Sequence, residues 1–173
     1  MRRLPALLLL SLLVSCSYAV QKDLIEEGTR NPDLNALIQN PDLYRDKLFI
    51  VGGVIARTTL SPAGSEVEAL YAPVDSRGYP EPVTTSARRY LAVYPKDKGV
   101  LDPLLYKRDR NITIAGVFTG TTKGTVGKME YVFPVFTIVR ISLEREVRYV
   151  DVYPHYYPYP GYWEGWGPPY WWW

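Results

Sequence analysis

Between Ile112 and Thr119 the chain alternates. Ile112, Ile114, Gly116 and Phe118 fall on one side; Thr113, Ala115, Val117 and Thr119 fall on the other. A repeat of two belongs to a β-strand, whose successive side chains point to opposite faces. This run commits the chain to a sheet with an apolar face. Four further strands are expected around it. Leu48 to Ala56 is apolar on both faces around Gly52-Gly53, and paired glycines in a strand indicate a bulge or a sharp coil. Val67 to Val74 follows the turn Ser61-Pro62-Ala63-Gly64. After the turn Asp75-Ser76-Arg77-Gly78 and a loop extended by Pro80 and Pro82, Arg88 to Tyr94 reads as the third strand. Beyond the alternating run, a loop with Gly124 and Gly127 leads to a last strand from about Met129 to Leu143, interrupted at Pro134.

Short helices are marked by Asp or Asn beside Pro, a capping side chain with a ring suited to the first turn. Asn31-Pro32-Asp33-Leu34 predicts a helix over 33–39. Its echo, Asn40-Pro41-Asp42-Leu43, predicts one turn over 41–44. Asp102-Pro103 predicts a short helix over 102–107. Three strands, a short helix and two strands make the order of an OB-type barrel. The expected fold is therefore mainly β: a small five-stranded OB-like barrel with short helices. Closure removes sheet edges, which suits a chain rich in Val, Ile and Tyr. An open antiparallel sheet backed by the N-terminal helix is the alternative.

The N-terminus reads as an address. Arg2 and Arg3 precede an apolar run from Leu4 to Val14, broken only by Ser11. As a helix it would be about 16 Å long, against roughly 30 Å of hydrocarbon, so it is a signal h-region and a poor membrane span. It ends in Leu13-Val14-Ser15-Cys16, which resembles the lipobox of bacterial lipoproteins. The resemblance implies that residues 1–15 are a signal peptide that is removed and that Cys16 is the lipid attachment site. Residues 16–30 would then be a lipidated tether, 31–148 the barrel domain, and 149–173 a tail. Losing Arg2 and Arg3 takes the chain from 20 basic against 18 acidic residues to 18 against 18. Acyl chains, at roughly 0.8 kcal/mol per buried methylene, are then the anchor rather than attraction to anionic lipid. Ser17 stands where enterobacterial lipoproteins retained in the inner membrane have Asp, which points to the outer membrane, facing the periplasm.

The tail differs in composition from the rest. Residues 149–173 hold all five Trp, seven Tyr, five Pro and three Gly, with only Asp151 and Glu164 charged. Tyr-Pro repeats favour extended backbone. Such a low-complexity aromatic segment is not expected to pack as a regular element. It suits contact with a surface, membrane or sugar, since Tyr and Trp bury area while keeping a polar tip; the alternative is a disordered tail of biased composition.

One His and one Cys leave no expected metal site, no cofactor and no internal disulfide. No Gly-rich phosphate loop is present. Asp75, Glu81, Asp97 and Asp102 are loop carboxylates, and turn or capping roles explain Asp75 and Asp102, so no catalytic residue is expected. The candidate ligand face is Arg57, Arg88, Arg89, Tyr90 and Tyr94, because OB faces combine basic and aromatic side chains to bind oligomers. An exported protein meets glycans rather than nucleic acid. The alternative is that Tyr90 and Tyr94 are barrel residues beside snorkelling arginines.

Taken in order, several short motifs resemble the Slp family, the starvation-inducible outer-membrane lipoproteins of Gram-negative bacteria. They are the lipobox cysteine, Asn40-Pro41-Asp42-Leu43-Tyr44 before Val51-Gly52-Gly53-Val54-Ile55, and Pro73-Val74-Asp75-Ser76-Arg77-Gly78. Arg89-Tyr90-Leu91-Ala92, Leu101-Asp102-Pro103 and Ile114-Ala115-Gly116-Val117 before Thr119-Gly120 complete the set. The resemblance covers about residues 16–148. Two departures stand out: Arg88-Arg89-Tyr90-Leu91 replaces the usual Gly-Arg-Phe-Leu, and the tail is far more aromatic. The resemblance implies a lipid-anchored, non-enzymatic envelope module linked to starvation or stress. Its expected partners are outer-membrane lipid through acylated Cys16, and peptidoglycan or another envelope protein. An envelope polysaccharide-binding module is the first alternative and a hydrolase the second.

Overall fold

The computed structural model describes residues 17–84 and 87–144. Its elements are α1 (Lys22–Glu27), β1 (Thr29–Arg30), α2 (Leu34–Gln39), α3 (Pro41–Tyr44), β2 (Leu48–Ser61), β3 (Gly64–Ala72), β4 (Arg89–Pro95), a 3-10 turn (Lys96–Lys98), β5 (Asn111–Val126) and β6 (Met129–Leu143). Strands β2 to β6 close into a five-stranded barrel in the order β2-β3-β4-β6-β5, with β5 returning to β2. All barrel pairs are antiparallel except β4–β6, where Leu91 lies opposite Val135. The sixth strand, β1, lies outside and runs parallel to the start of β2.

Closure depends on the length of β2. Its first half pairs with β5 and its second half with β3, and Gly52, Gly53 and Val54 are paired on both sides. A Cβ at Gly52 would stand 2.7 Å from the Ala72 carbonyl oxygen, and one at Gly53 would stand 2.8 Å from that of Leu70. The glycines thus permit close approach of three strands. The bulge expected at them falls later, between Ile55 and Arg57.

Alternation sorts the interior as the sequence predicts. Ile112, Ile114 and Phe118 of β5 point inward, with Phe49 and Val51 of β2 and Tyr90 of β4. Phe136 is the hub, with the rings of Phe118, Tyr90 and Phe49 at 5.6, 5.8 and 6.2 Å in edge contacts. Leu34 and Leu37 of α2 join this core, and Asp33 caps α2 by accepting the Asn35 N–H at 2.8 Å. Leu101 joins it beside the start of β3, donating its N–H to the buried Ser65 hydroxyl at 2.9 Å.

The helix expected over 102–107 is corrected to a single capped turn. Asp102 Oδ1 accepts the Leu104 N–H at 2.8 Å, and the Asp102 carbonyl accepts from Leu105 and Tyr106. Leu104 and Leu105 are 82% and 60% exposed, so there is no buried stripe to extend the turn into a helix. Residues 17–30, expected as a tether, are also corrected. They form a strap across the outside of β2 and β5, with Val20 and Ile25 buried. Beneath it Ile50, Val74 and Ala115 form a second small core, flanked by Leu24 and Leu48. This explains why β2 is apolar on both faces.

Past the barrel, β5 and β6 continue as a mostly exposed two-stranded arm. Gly124 lies within β5 opposite Tyr131, and Pro134 lies within β6 opposite Thr121, so neither ends a strand. Only Gly127, at φ 62°, belongs to the turn.

A candidate functional site beneath the β5–β6 arm

The bulge at Ala56 sets Arg57 of β2 opposite Glu68 of β3, and the next strand brings Arg89 to the same carboxylate. Arg57 Nη2 lies 3.1 Å from Glu68 Oε2, and Arg89 Nη1 lies 2.5 Å from Oε1. The Glu68 side chain is only 7% exposed, whereas those of Arg57 and Arg89 are 64% and 34% exposed. The carboxylate is thus satisfied from both sides while its partners keep edges in water, which avoids the cost of an unpaired buried charge.

The turn of the arm bends over this cluster. Thr125, Val126 and Gly127 face Arg57, Glu68 and Arg89 across a cleft of about 340 Å³. Tyr131 fastens the arm, accepting the Arg89 N–H at 2.9 Å while its ring packs on Phe133 at 4.6 Å. Two guanidiniums on one carboxylate leave one net positive charge, on groups that present planar donor forks to anionic or polyhydroxylated ligands. Glycoside hydrolysis needs two facing carboxylates, and among the described residues the cleft lining has only Glu68.

The five residues of the expected ligand face do not share one face. Arg57 and Arg89 meet at the cleft. Arg88 is exposed at another hollow, beside Tyr71 and the start of α2. Tyr94 packs against the core edge and donates to the Lys98 carbonyl at 3.2 Å. Tyr90 is wholly buried against Gly53, its hydroxyl without a hydrogen-bond partner, and burial pushes its phenol far above the usual range. The barrel-residue alternative therefore holds for Tyr90. Glu68, which organises the cluster, was not singled out from sequence; its signal is a carboxylate inside the apolar run Val67 to Ala72.

A second feature lies where the chain enters and leaves the described fold. Ser17, Tyr79, Thr113, Ser142 and Glu144 line a recess of about 480 Å³. Asp75 holds the adjoining loop, accepting the N–H groups of Arg77 and Tyr79 at 2.8 and 2.9 Å. Burial raises its pKa, but those N–H groups and the Arg77 guanidinium outweigh this and hold the carboxyl below its usual range. Asp75 and Asp102 both serve turns, as expected. Cys16 and the tail 149–173 lie outside the described residues. Among the described residues no three His, Cys, Asp or Glu gather as a metal site requires, and no helix is long and apolar enough to cross a membrane.

Strand order, closure and the decorated β3–β4 face define an OB-type β-barrel protein. The model of the outer membrane lipoprotein Slp family matches residues 13–173. The chain belongs to that family and is an outer-membrane lipoprotein of the Slp type. Similar solved structures include a mitochondrial single-stranded DNA-binding protein from S. cerevisiae, at 9% identity and a TM-score of 0.34. That match covers 57% of this chain and 95% of the other. A small single-stranded DNA-binding protein from Streptomyces coelicolor matches at 10% identity and a TM-score of 0.34, covering 58% and 95%. At these values neither likeness bears on what the chain binds. A search of curated proteins finds no relative.

Proposed function

We propose that the protein is a lipid-anchored, non-enzymatic module of the outer membrane, held through acylated Cys16 with its barrel on the periplasmic side and tied to starvation or stress. The family match carries this reading, because it begins at residue 13 and so includes Cys16 at the end of a signal-like apolar run. Intact mass of the membrane-extracted protein tests it. The expected result is a chain starting at a triacylated Cys16, and release from the membrane or an uncut precursor for Cys16→Ser. A soluble mature form starting elsewhere refutes the anchor. Protease digestion of intact and permeabilised cells tests the orientation, and protein levels during carbon starvation test the link to stress.

A second reading is envelope polysaccharide binding at the Arg57–Glu68–Arg89 cleft. It is favoured by the cleft's position. OB barrels bind oligosaccharides on their second and third strands and on the loop between the fourth and fifth, here β3, β4 and the arm turn. Cell-wall fragments should co-sediment with the wild-type protein and less with Arg57→Ala/Arg89→Ala. Equal retention of both ends this reading.

A further inference from the structure

The residues next to Cys16 do not hang free. Ser17 Oγ lies 2.9 Å from the Tyr79 hydroxyl, and the Ala19 N–H donates to the Arg77 carbonyl at 3.1 Å. The strap is then pinned by buried Val20 and Ile25. One peptide step spans about 3.8 Å, whereas the headgroup layer on each side of a bilayer is roughly 5–7 Å thick. Acyl chains on Cys16 that enter hydrocarbon therefore place Ser17 within the headgroups, with the barrel directly attached.

The surroundings of Ser17 suit that position. Tyr18 and Tyr79 offer amphipathic rings, and the Arg77 guanidinium sits 5.7 Å over the Tyr79 ring. Lys22 and Arg140 line the adjoining hollow with Tyr18. Lys22 and Arg77 also pair with Glu26 and Asp75, so the rim is near neutral and its contact is amphipathic rather than coulombic. Tyrosines with basic neighbours are the side chains that settle at membrane interfaces. Glu144, after which the aromatic tail follows in sequence, lines the same recess as Ser17.

We infer that this rim is the membrane-docking face of the protein and that phospholipid headgroups are its partner. The barrel stands on the bilayer without a spacer. The inference rests on the acylation of Cys16 proposed above.

Cys16 is the only cysteine and in the lipidated protein its sulfur is held in a thioether to the diacylglyceryl group, so an introduced cysteine is a unique label site. Full-length acylated Ser142→Cys (recess) and Lys128→Cys (arm turn) would carry a fluorophore. Each would be reconstituted into vesicles of phosphatidylethanolamine and phosphatidylglycerol containing a headgroup-nitroxide lipid. The expected result is loss of fluorescence at position 142 and none at 128. If Ser142→Cys fails to fold, Arg140→Cys, exposed in the adjoining hollow, replaces it. Acylated protein that floats with the vesicles but shows equal quenching at both positions overturns the docking face alone. Unmodified Cys16 with no flotation overturns the anchor and this inference with it.

Discussion

Two outer faces of one barrel are finished in different ways. The face of β2 and β5 is roofed by the strap, and Ile50 and Ala115 there are fully buried. Among the described residues the face of β3 and β4 is spanned only by the arm, and what it buries is a charged side chain, Glu68, between two guanidiniums that reach water. The first face resembles a domain interior and is fixed by shape. The second is held by polar contacts and stays accessible. The difference teaches that one sheet can be finished by apolar packing on one side and by a satisfied buried charge on the other, and that only the second leaves polar groups in water.

Substitution should expose the contrast, most severely at Gly52. Its Cβ would meet the Ala72 carbonyl at 2.7 Å and Val74 Cγ1 at 2.8 Å, and the backbone oxygen belongs to a paired strand. Gly52→Val should cost about 3 kcal/mol or block folding. Gly124→Ala in the arm meets only the Phe133 ring at 3.1 Å, which can turn, so it should cost less than about 1 kcal/mol. Urea unfolding of both variants measures the difference, and equal losses would erase the contrast.

Next in size is the latch of the strap. Asn31 Nδ2 donates to the Val74 carbonyl at 3.0 Å, and its Oδ1 accepts the Val74 N–H at 2.7 Å. Asn31→Ala should cost about 1.5 kcal/mol, since two hydrogen bonds go and φ 54° suits Asn better than Ala. Asn31→Gly removes the bonds without that backbone strain and should cost less.

A smaller effect is expected from acid. Asp75 has a folded pKa below its unfolded one, so its contribution is full above the unfolded pKa and is lost as pH falls through the folded value. Wild-type melting temperature should fall more steeply than that of Asp75→Asn below about pH 4. Parallel slopes would show that the turn is held without the carboxylate. Smallest of all, Arg57→Ala should change stability by less than about 0.5 kcal/mol. Its guanidinium is largely exposed and Arg89 still holds Glu68.

Periodicity made the barrel legible. The run Ile112 to Thr119 predicted which side chains of β5 face inward, and the capping pairs placed α2 and α3. The same alternation, applied to β4, separates Arg89 from Tyr90, since neighbours in a strand point to opposite faces. A ligand face holding both was therefore inconsistent with the strand reading. Glu68 stayed hidden because its partners lie on two other strands, and only the barrel's register brings them together. The strap was hidden for a different reason: one short helix with few apolar residues carries no strong pattern of its own. Its trace was the second apolar face of Leu48 to Ala56, which needed a cover.

Barrel closure also has a kinetic side. Leu48 pairs with Val117, so β2 meets its second partner only after most of the chain is available. Topologies ruled by such distant pairings fold in roughly milliseconds to seconds, slowly beside a lone hairpin at about 1–10 μs. Until β2 and β5 join, Ile50 and Ala115 offer the strap no surface on which to seat. The strap over residues 17–30 is thus the last part of the described fold to settle, and its backbone stays open to solvent through the interval before the barrel closes.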